Sequence, residues 1–243
     1  MSVYLCHLEP DLLDFDAEVL ESRPGQVLLS RSALHPGGGG QVGDVAVVEH
    51  RQGTVRITGV QAEGDRYWHV LDDPALELDG SVAVHIDRER RFRVAQLHTD
   101  THILNALVYD QFAAALVTGA QINGDGTARM DFDLPEADNE KLRELEPALN
   151  AIIEEAAEVR AVYVPVAEAE STPGLIRSLS VAPPPTPDGR FRVIEIVGVD
   201  RQACGGTHLT NTGESLPIRI TKVENKGRRN RRVRLTLVDP AQR

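Results

Sequence analysis

The sequence predicts an α+β protein. A small N-terminal β-barrel with a glycine-rich loop is expected over residues 1–90, followed by a two-layer α/β unit over residues 91–243. Three observations predict it. Short apolar segments recur at roughly ten-residue spacing through the first part of the chain, divided by turn-forming residues, as in small barrels and sandwiches. Near Gln96 the hydrophobic period changes from that of strands to that of an amphipathic helix. The length of 243 residues holds one to two domains at roughly 150 residues each.

Taken in order, the strand candidates are residues 26–30, 44–49, 54–60, 66–71 and 81–87. Turns are expected at Arg23-Pro24-Gly25, Glu63-Gly64-Asp65 and Asp79-Gly80. The charged run 88–93 is the expected domain boundary. A helix follows over 96–117, with Leu97, Leu104, Leu107, Val108, Ala115 and Leu116 on its apolar face and Gly119 as its breaker. A second helix is expected over 138–160 on the stripe Leu142, Leu145, Leu149, Ile152, Ile153 and Ala156. Pro147 inside it predicts a kink or a fresh helix start. Residues 161–166 and 191–197 read as strands and 182–189 as a proline-rich loop. Residues 215–223 and 232–238 read as a hairpin around Asn225-Lys226-Gly227.

Composition narrows the class. Hydrophobic residues make up 41% and charged residues 26%, which excludes wholesale disorder. Apolar runs such as 113–117 are far too short to span a bilayer. The acidic start, with Glu9, Asp11, Asp14 and Asp16, is unlike a secretory signal, so a cytoplasmic protein without membrane attachment is expected. Two cysteines do not make a disulfide framework. The net charge is −11, yet residues 219–243 carry nine basic residues against Glu224 and Asp239. Such a strip is either a solvated arginine-rich hairpin or a phosphate-binding surface.

The chemistry concentrates in three motifs. His98 and His102 stand four residues apart on an expected helix, so both imidazoles share one face. Cys204-Gly205-Gly206-Thr207-His208 places a thiol and an imidazole around two glycines, which permit a tight turn. Together they offer three nitrogens and one sulfur, a donor set suited to zinc. The remaining histidines (His7, His35, His50, His69 and His85) are expected at the surface or in strands, and Cys6 as a small buried hydrophobe. The third motif is Pro36-Gly-Gly-Gly-Gly-Gln-Val-Gly-Asp44. It lacks the lysine of a P-loop and the following helix of a dinucleotide fingerprint. It suits either a mobile surface loop or a backbone that approaches a ligand or another segment closely.

In this order, the three motifs resemble the editing domain of alanyl-tRNA synthetases. More closely they resemble the free-standing alanyl-tRNA editing proteins of the AlaX family. Asn211-Thr-Gly-Glu214 and the stretch from Lys222 to Gly227 also fit. The metal motifs are shared with threonyl-tRNA synthetase editing domains; the glycine-rich motif favours the alanine branch. The resemblance implies a Zn²⁺-dependent hydrolase that removes serine or glycine from mischarged tRNA(Ala). It implies His98, His102, Cys204 and His208 as zinc ligands. Thr99, Thr101, Gln121 and Asp200 are the expected catalytic residues. Gly38, Gly39, Gln41, Gly205, Gly206, Lys226, Arg228 and Arg229 are the expected substrate-binding residues. A chain with no aminoacylation module is expected to act in trans, as a monomer.

Ester hydrolysis needs a nucleophile and a stabiliser of the developing oxyanion. Zinc with an open position lowers the pKa of water to about 7, but four protein ligands would close its tetrahedron. Either one ligand is loose, with His208 the first choice, or zinc fixes the substrate amino group and water is activated elsewhere. A site that hydrogen-bonds the serine hydroxyl rejects alanine by about 10⁴–10⁵-fold; Thr99, Thr101 and Gln121 are the polar candidates. Two rivals remain open: a non-catalytic RNA-binding module with a structural zinc, and a zinc hydrolase of a small-molecule ester.

Overall fold

A computed structural model describes residues 3–64, 66–135, 138–179, 183–186 and 188–239. The expected turn residue Asp65, the loop residues Ala182 and Pro187, and Arg243 of the basic strip lie outside the described residues. The chain is mixed α+β and mostly strand. Residues 1–38 and 42–92 form one compact unit; residues 39–41 and 93–243 form another. No helix among the described residues is long and apolar enough to cross a membrane.

Among the described residues the first unit has eight strands: β1 (Val3–Tyr4), β2 (Asp14–Arg23), β3 (Gln26–Leu29), β4 (Arg31–Ser32), β5 (Ala46–His50), β6 (Gly53–Glu63), β7 (Arg66–Leu71) and β8 (Ser81–Ile86). Six of them close into a barrel in the order β2-β3-β7-β6-β5-β8, which leaves no open edge. Inward residues alternate with outward ones. In β2, Phe15 and Ala17 are buried while Asp14, Asp16 and Glu18 face water. Bulges after Val19 and Ile57 add the bend that closure requires. β2, the longest strand after β6, was not foreseen, because its acids read as a charged terminus.

Two buried polar sets lock this unit. His69 Nδ1–H donates to the Val27 carbonyl at 3.2 Å, and Nε2 meets Ser32 Oγ at 2.8 Å. Asp44 pairs with Arg91 through buried side chains, with Arg91 Nε 2.9 Å from Asp44 Oδ1. The same carboxylate accepts from His35 N at 2.6 Å, and Asp44 N returns to His35 O at 2.9 Å. The ends of the glycine-rich motif are therefore tied together at Asp44. His35 is accordingly neither a surface nor a strand residue: it is a buried loop residue, 4% exposed.

α1 (Arg88–Gln111) carries the chain into the second unit. It starts eight residues before the expected helix, because the charged run 88–93 forms its first turns. It ends at Gln111 and not at Val117, since Ala113 and Ala114 turn the chain with φ of 51° and 58°. Gly119 is thus no helix breaker but part of β9 (Val117–Ile122). β9 pairs with β10 (Thr127–Asp133) across the Asn123–Gly126 turn. The second expected helix is two: α2 (Asn139–Arg143) and α3 (Leu145–Glu154). Asp138 caps α2 by accepting from Glu140 N. Pro147 stands in the first turn of α3, where its missing N–H costs nothing. α3 ends before Ala156, whose φ is 53°, so residues expected as helix join β11 (Val159–Pro165).

A short α4 (Val166–Ser171) follows, then β12 (Arg190–Ile196), β13 (Asp200–Ala203), a 3-10 turn at Thr212–Glu214, β14 (Ile218–Lys226) and β15 (Asn230–Leu237). These strands make a three-stranded sheet, β11-β12-β13, and a four-stranded antiparallel sheet, β14-β15-β10-β9. Ala128, Met130, Phe132, Val233 and Leu235 face the core from the larger sheet. α3 docks on its β14 edge, where Asn150 both donates to Ile218 O and accepts from Ile218 N. Within α1, residues 94–106 are buried all round, including Gln96, His98, Thr99, Asp100, Thr101, His102 and Asn105. A helix that buries so many polar side chains must answer each of them.

Candidate metal centre

His98 and His102 project from adjacent turns of α1, as their spacing requires. Cys204 follows β13 directly, and His208 ends the glycine turn behind it. The ligand atoms of the four side chains all lie within 4.8 Å of one another, and the group can hold a metal ion. His98 Nε2 and His208 Nε2 each stand 3.3 Å from Cys204 Sγ. The imidazole centroids are 4.3 to 5.4 Å apart.

Each imidazole turns its Nδ1 to the protein. His98 Nδ1–H donates to Gln41 Oε1 at 2.7 Å. His208 Nδ1 meets Thr99 Oγ1 at 3.3 Å, which also accepts from Leu209 N at 3.1 Å. His102 Nδ1 faces Asp200 Oδ2 at 3.6 Å, and Asp200 Oδ1 pairs with Arg177 Nη2 at 2.9 Å. In His98 and His208, with Nδ1 so occupied, Nε2 is the nitrogen presented to Cys204, the arrangement by which metal-binding histidines are oriented. His102 Nδ1 and both Asp200 oxygens are buried without a hydrogen bond of good geometry.

The electrostatics favour a thiolate. Burial pushes the Cys204 thiol up, but the imidazoles of His98, His208 and His102 outweigh it and hold the thiol well below its ordinary value. Burial, then the neighbouring His98, keeps His208 well below the usual histidine range. Burial lowers His102, but Cys204 and Asp200 raise it further, to about 9. Three imidazole nitrogens and one sulfur of lowered thiol pKa around one centre make a donor set that fits a borderline-soft metal.

The turn that presents Cys204 is braced by Arg192, whose Nη1 donates to Cys204 O at 2.8 Å and to Gly206 O at 3.0 Å. Gly206 has no room for a side chain, because a Cβ would fall on the His98 imidazole. Gly205 is half-buried, with only Pro183 Cβ 3.7 Å from where its own Cβ would be. Gln41 links the glycine-rich motif to the cluster. Besides holding His98, it accepts from Thr207 N at 2.9 Å and donates to Thr207 Oγ1 at 3.0 Å. All four glycines before it have positive φ: 88°, 116°, 59° and 92° for Gly37 to Gly40. Gly40 also passes tightly against β9, where a Cβ would sit 2.8 Å from Ala120 O; Gly38 and Gly39 have open space.

The other expected residues fall in three places. Thr99 and Thr101 are buried beside the ligands, and the Thr101 hydroxyl donates to His98 O at 2.8 Å. Asp200 lies behind His102, fully buried. Gln121 is exposed on β9; it accepts from Arg129 Nε at 3.1 Å and donates to Asn123 Oδ1 at 3.0 Å. Lys226 ends β14, and Arg228 and Arg229 form the turn after it; none has a hydrogen bond or ion pair to the cluster. Arg229 is held by Asp133 at 2.8 Å, a carboxylate that it keeps below the usual range. Arg177 and Arg192 escaped the sequence reading. Arg192 left a signal, an arginine inside an apolar strand; Arg177 left none.

Similarity to known proteins bears on this geometry. Residues 191–234 match the family described as the threonyl and alanyl tRNA synthetase second additional domain. The chain is 35% identical over 227 residues to the alanyl-tRNA editing protein AlaX-M of Saccharolobus solfataricus, covering 92% of this chain and 94% of that protein. It is 35% identical over 251 residues to AlaX-M of Methanosarcina mazei, covering 99% and 98%. It is also 37% identical over 226 residues to the alanine–tRNA ligase of Thermococcus kodakarensis, covering 90% of this chain and 24% of the ligase.

Proposed function

The chain belongs to the family of alanyl-tRNA editing proteins, and from that premise we propose that it hydrolyses the ester of tRNA(Ala) mischarged with serine or glycine, in trans, at a zinc site made by His98, His102, Cys204 and His208. The observation that carries this reading is the convergence of three imidazoles and one cysteine sulfur on one centre, their ligand atoms within 4.8 Å of one another. Zinc bound there would supply a Lewis acid beside the ester carbonyl.

The chain's own groups have separable tasks. Gln41 holds His98 and the Thr207 backbone, and so fixes the first motif against the third. Thr99 orients His208 through its hydroxyl, and Thr101 steadies the His98 turn. Asp200, backed by Arg177, orients His102. Gly205 leaves space at the rim for the substrate, and Gly38 and Gly39 leave space beside their own backbone. Gln121, expected among the catalytic residues, is exposed and bonded to Arg129 and Asn123, and is here assigned with Lys226, Arg228 and Arg229 to tRNA rather than to the amino acid. Residues 1–90 act as the barrel part and 91–243 as the editing part, in a monomer working in the cytoplasm.

The test is deacylation of Ser-, Gly- and Ala-tRNA(Ala), with and without a chelator, beside elemental analysis. Expected are one zinc per chain, turnover of Ser-tRNA(Ala), and its loss on chelation. Full activity of the metal-free protein refutes the zinc role. Bound zinc with no deacylase activity supports a structural metal instead, and turnover of simple esters alone supports a small-molecule hydrolase.

A further inference from the structure

The four-stranded sheet has one apolar face and one charged face, and the charged face is organised in cross-strand rows. Opposite one another on adjacent strands stand Gln121, Arg129, Arg234 and Lys222. The next row holds Asp131, Arg232 and Glu224. Three cations directly opposite one another repel, an arrangement that sheets normally avoid. Two carboxylates keep it in place. Asp131 holds Arg129 at 2.7 Å and Arg232 at 2.7 Å; Glu224 holds Arg234 at 2.6 Å and Lys222 at 3.1 Å. Four cations thus share two acids. Arg219, Lys226 and Arg228 add charge on the same two strands and their turn, and form no ion pair among the described residues. This cationic excess belongs to a chain whose net charge is −11.

The row starts beside the metal cluster. Ile122, next to Gln121, pairs with Gln41, and Gln41 holds His98 and Thr207. From Gln121 to Lys222 the row crosses three strand gaps, about 14 Å. We infer that the charged face of the β9-β10-β15-β14 sheet is the track for the tRNA backbone, with the Gln121–Arg129–Arg234–Lys222 row leading phosphates away from the metal cluster. The carboxylates hold the cations in their rows, and an approaching phosphate completes the charge balance that two acids leave unfinished. The hairpin turn, by contrast, offers only Arg228 beside an Arg229 already held by Asp133. This inference rests on the proposed tRNA substrate.

The test is binding of fluorescently labelled, uncharged tRNA(Ala) transcript across a salt series. Each phosphate contact contributes roughly 0.7–0.9 to the slope of log K against log salt. The triple variant Arg129→Gln/Lys222→Gln/Arg234→Gln is expected to lose about 2 units of that slope. A charge-matched control, Arg51→Gln/Arg160→Gln/Arg190→Gln, removes exposed cations elsewhere and is expected to lose less than about 1 unit. Should the triple variant fold poorly by circular dichroism, Lys222→Gln alone, 60% exposed, is expected to lose somewhat under 1 unit, and an unchanged slope counts against the track. Equal losses in the two triple variants, or none in the first, overturn the inference while the editing reading stands. Wild-type protein that deacylates nothing and binds no tRNA at low salt overturns both.

Discussion

Buried histidines occur in both units, and they are answered in opposite ways. In the barrel, His69 is 0% exposed and both ring nitrogens are used by the chain, one by the Val27 carbonyl and one by Ser32. Around α1, His98 and His208 use only Nδ1 for orientation and direct Nε2 at a shared sulfur, and His102 joins the same cluster. The first is a closed hydrogen-bonding account and needs no partner. The second is left open toward one point, and it is that openness, not burial or residue type, that distinguishes a ligand from a core histidine.

The largest effect should come from the open side. Cys204→Ala and His102→Ala are each expected to abolish zinc retention and reduce Ser-tRNA(Ala) turnover to background, with the circular dichroism spectrum preserved. A metal-retaining His102→Ala would break the contrast. On the closed side, Asp44→Ala strands the Arg91 guanidinium in the barrel. Urea unfolding should show a loss of about 3–5 kcal/mol, with zinc content unchanged in the folded fraction.

Next comes acid sensitivity. Burial lowers the His69 pKa from 6.5 to about 4. The unfolded chain takes up this proton before the folded one, so the contribution is complete above pH 6.5 and fades as pH falls toward 4. A loss on the order of 3 kcal/mol is expected over that window. It should be read as urea midpoints at several pH values, and His69→Gln should flatten the profile. The smallest change tests orientation. Asp200→Asn and Arg177→Gln should weaken zinc 10- to 100-fold, by roughly the usual effect of an outer partner, in competition with a chromophoric chelator. Arg177→Lys should restore part of that loss. Zinc affinities equal to wild type would show the pair to be packing alone.

The same contrast explains what could be read in the sequence. The four ligands were legible because helical spacing and a glycine turn fix their directions locally. The strands β5 to β8 were legible through alternation. The end of α1 was not, since Ala115 and Leu116 continue a helical period and only the left-handed Ala113 and Ala114 break it, residues with no preference for doing so. Gln41 was legible as a motif member but not as the partner of His98, which lies 57 positions away. Arg177 enters through tertiary packing, its guanidinium 4.2 Å over the Tyr109 ring and 2.9 Å from Asp200. No local pattern encodes that meeting. The basic strip was visible as charge, but its division into rows depended on a register that composition does not carry.

The glycines of the two motifs are not equivalent under mutation. At Gly38 and Gly39 the barrier is handedness alone, because the surroundings are empty. Asparagine or aspartate, which tolerate left-handed backbone, are therefore an open evolutionary route at Gly39, with φ of 59°, while Gly38 at 116° lies outside that region. At Gly40 and Gly206 the barrier is volume, against the Ala120 backbone and the His98 ring. Drift in this lineage should be permitted at Gly39 and forbidden at Gly40 and Gly206, although all look alike as letters.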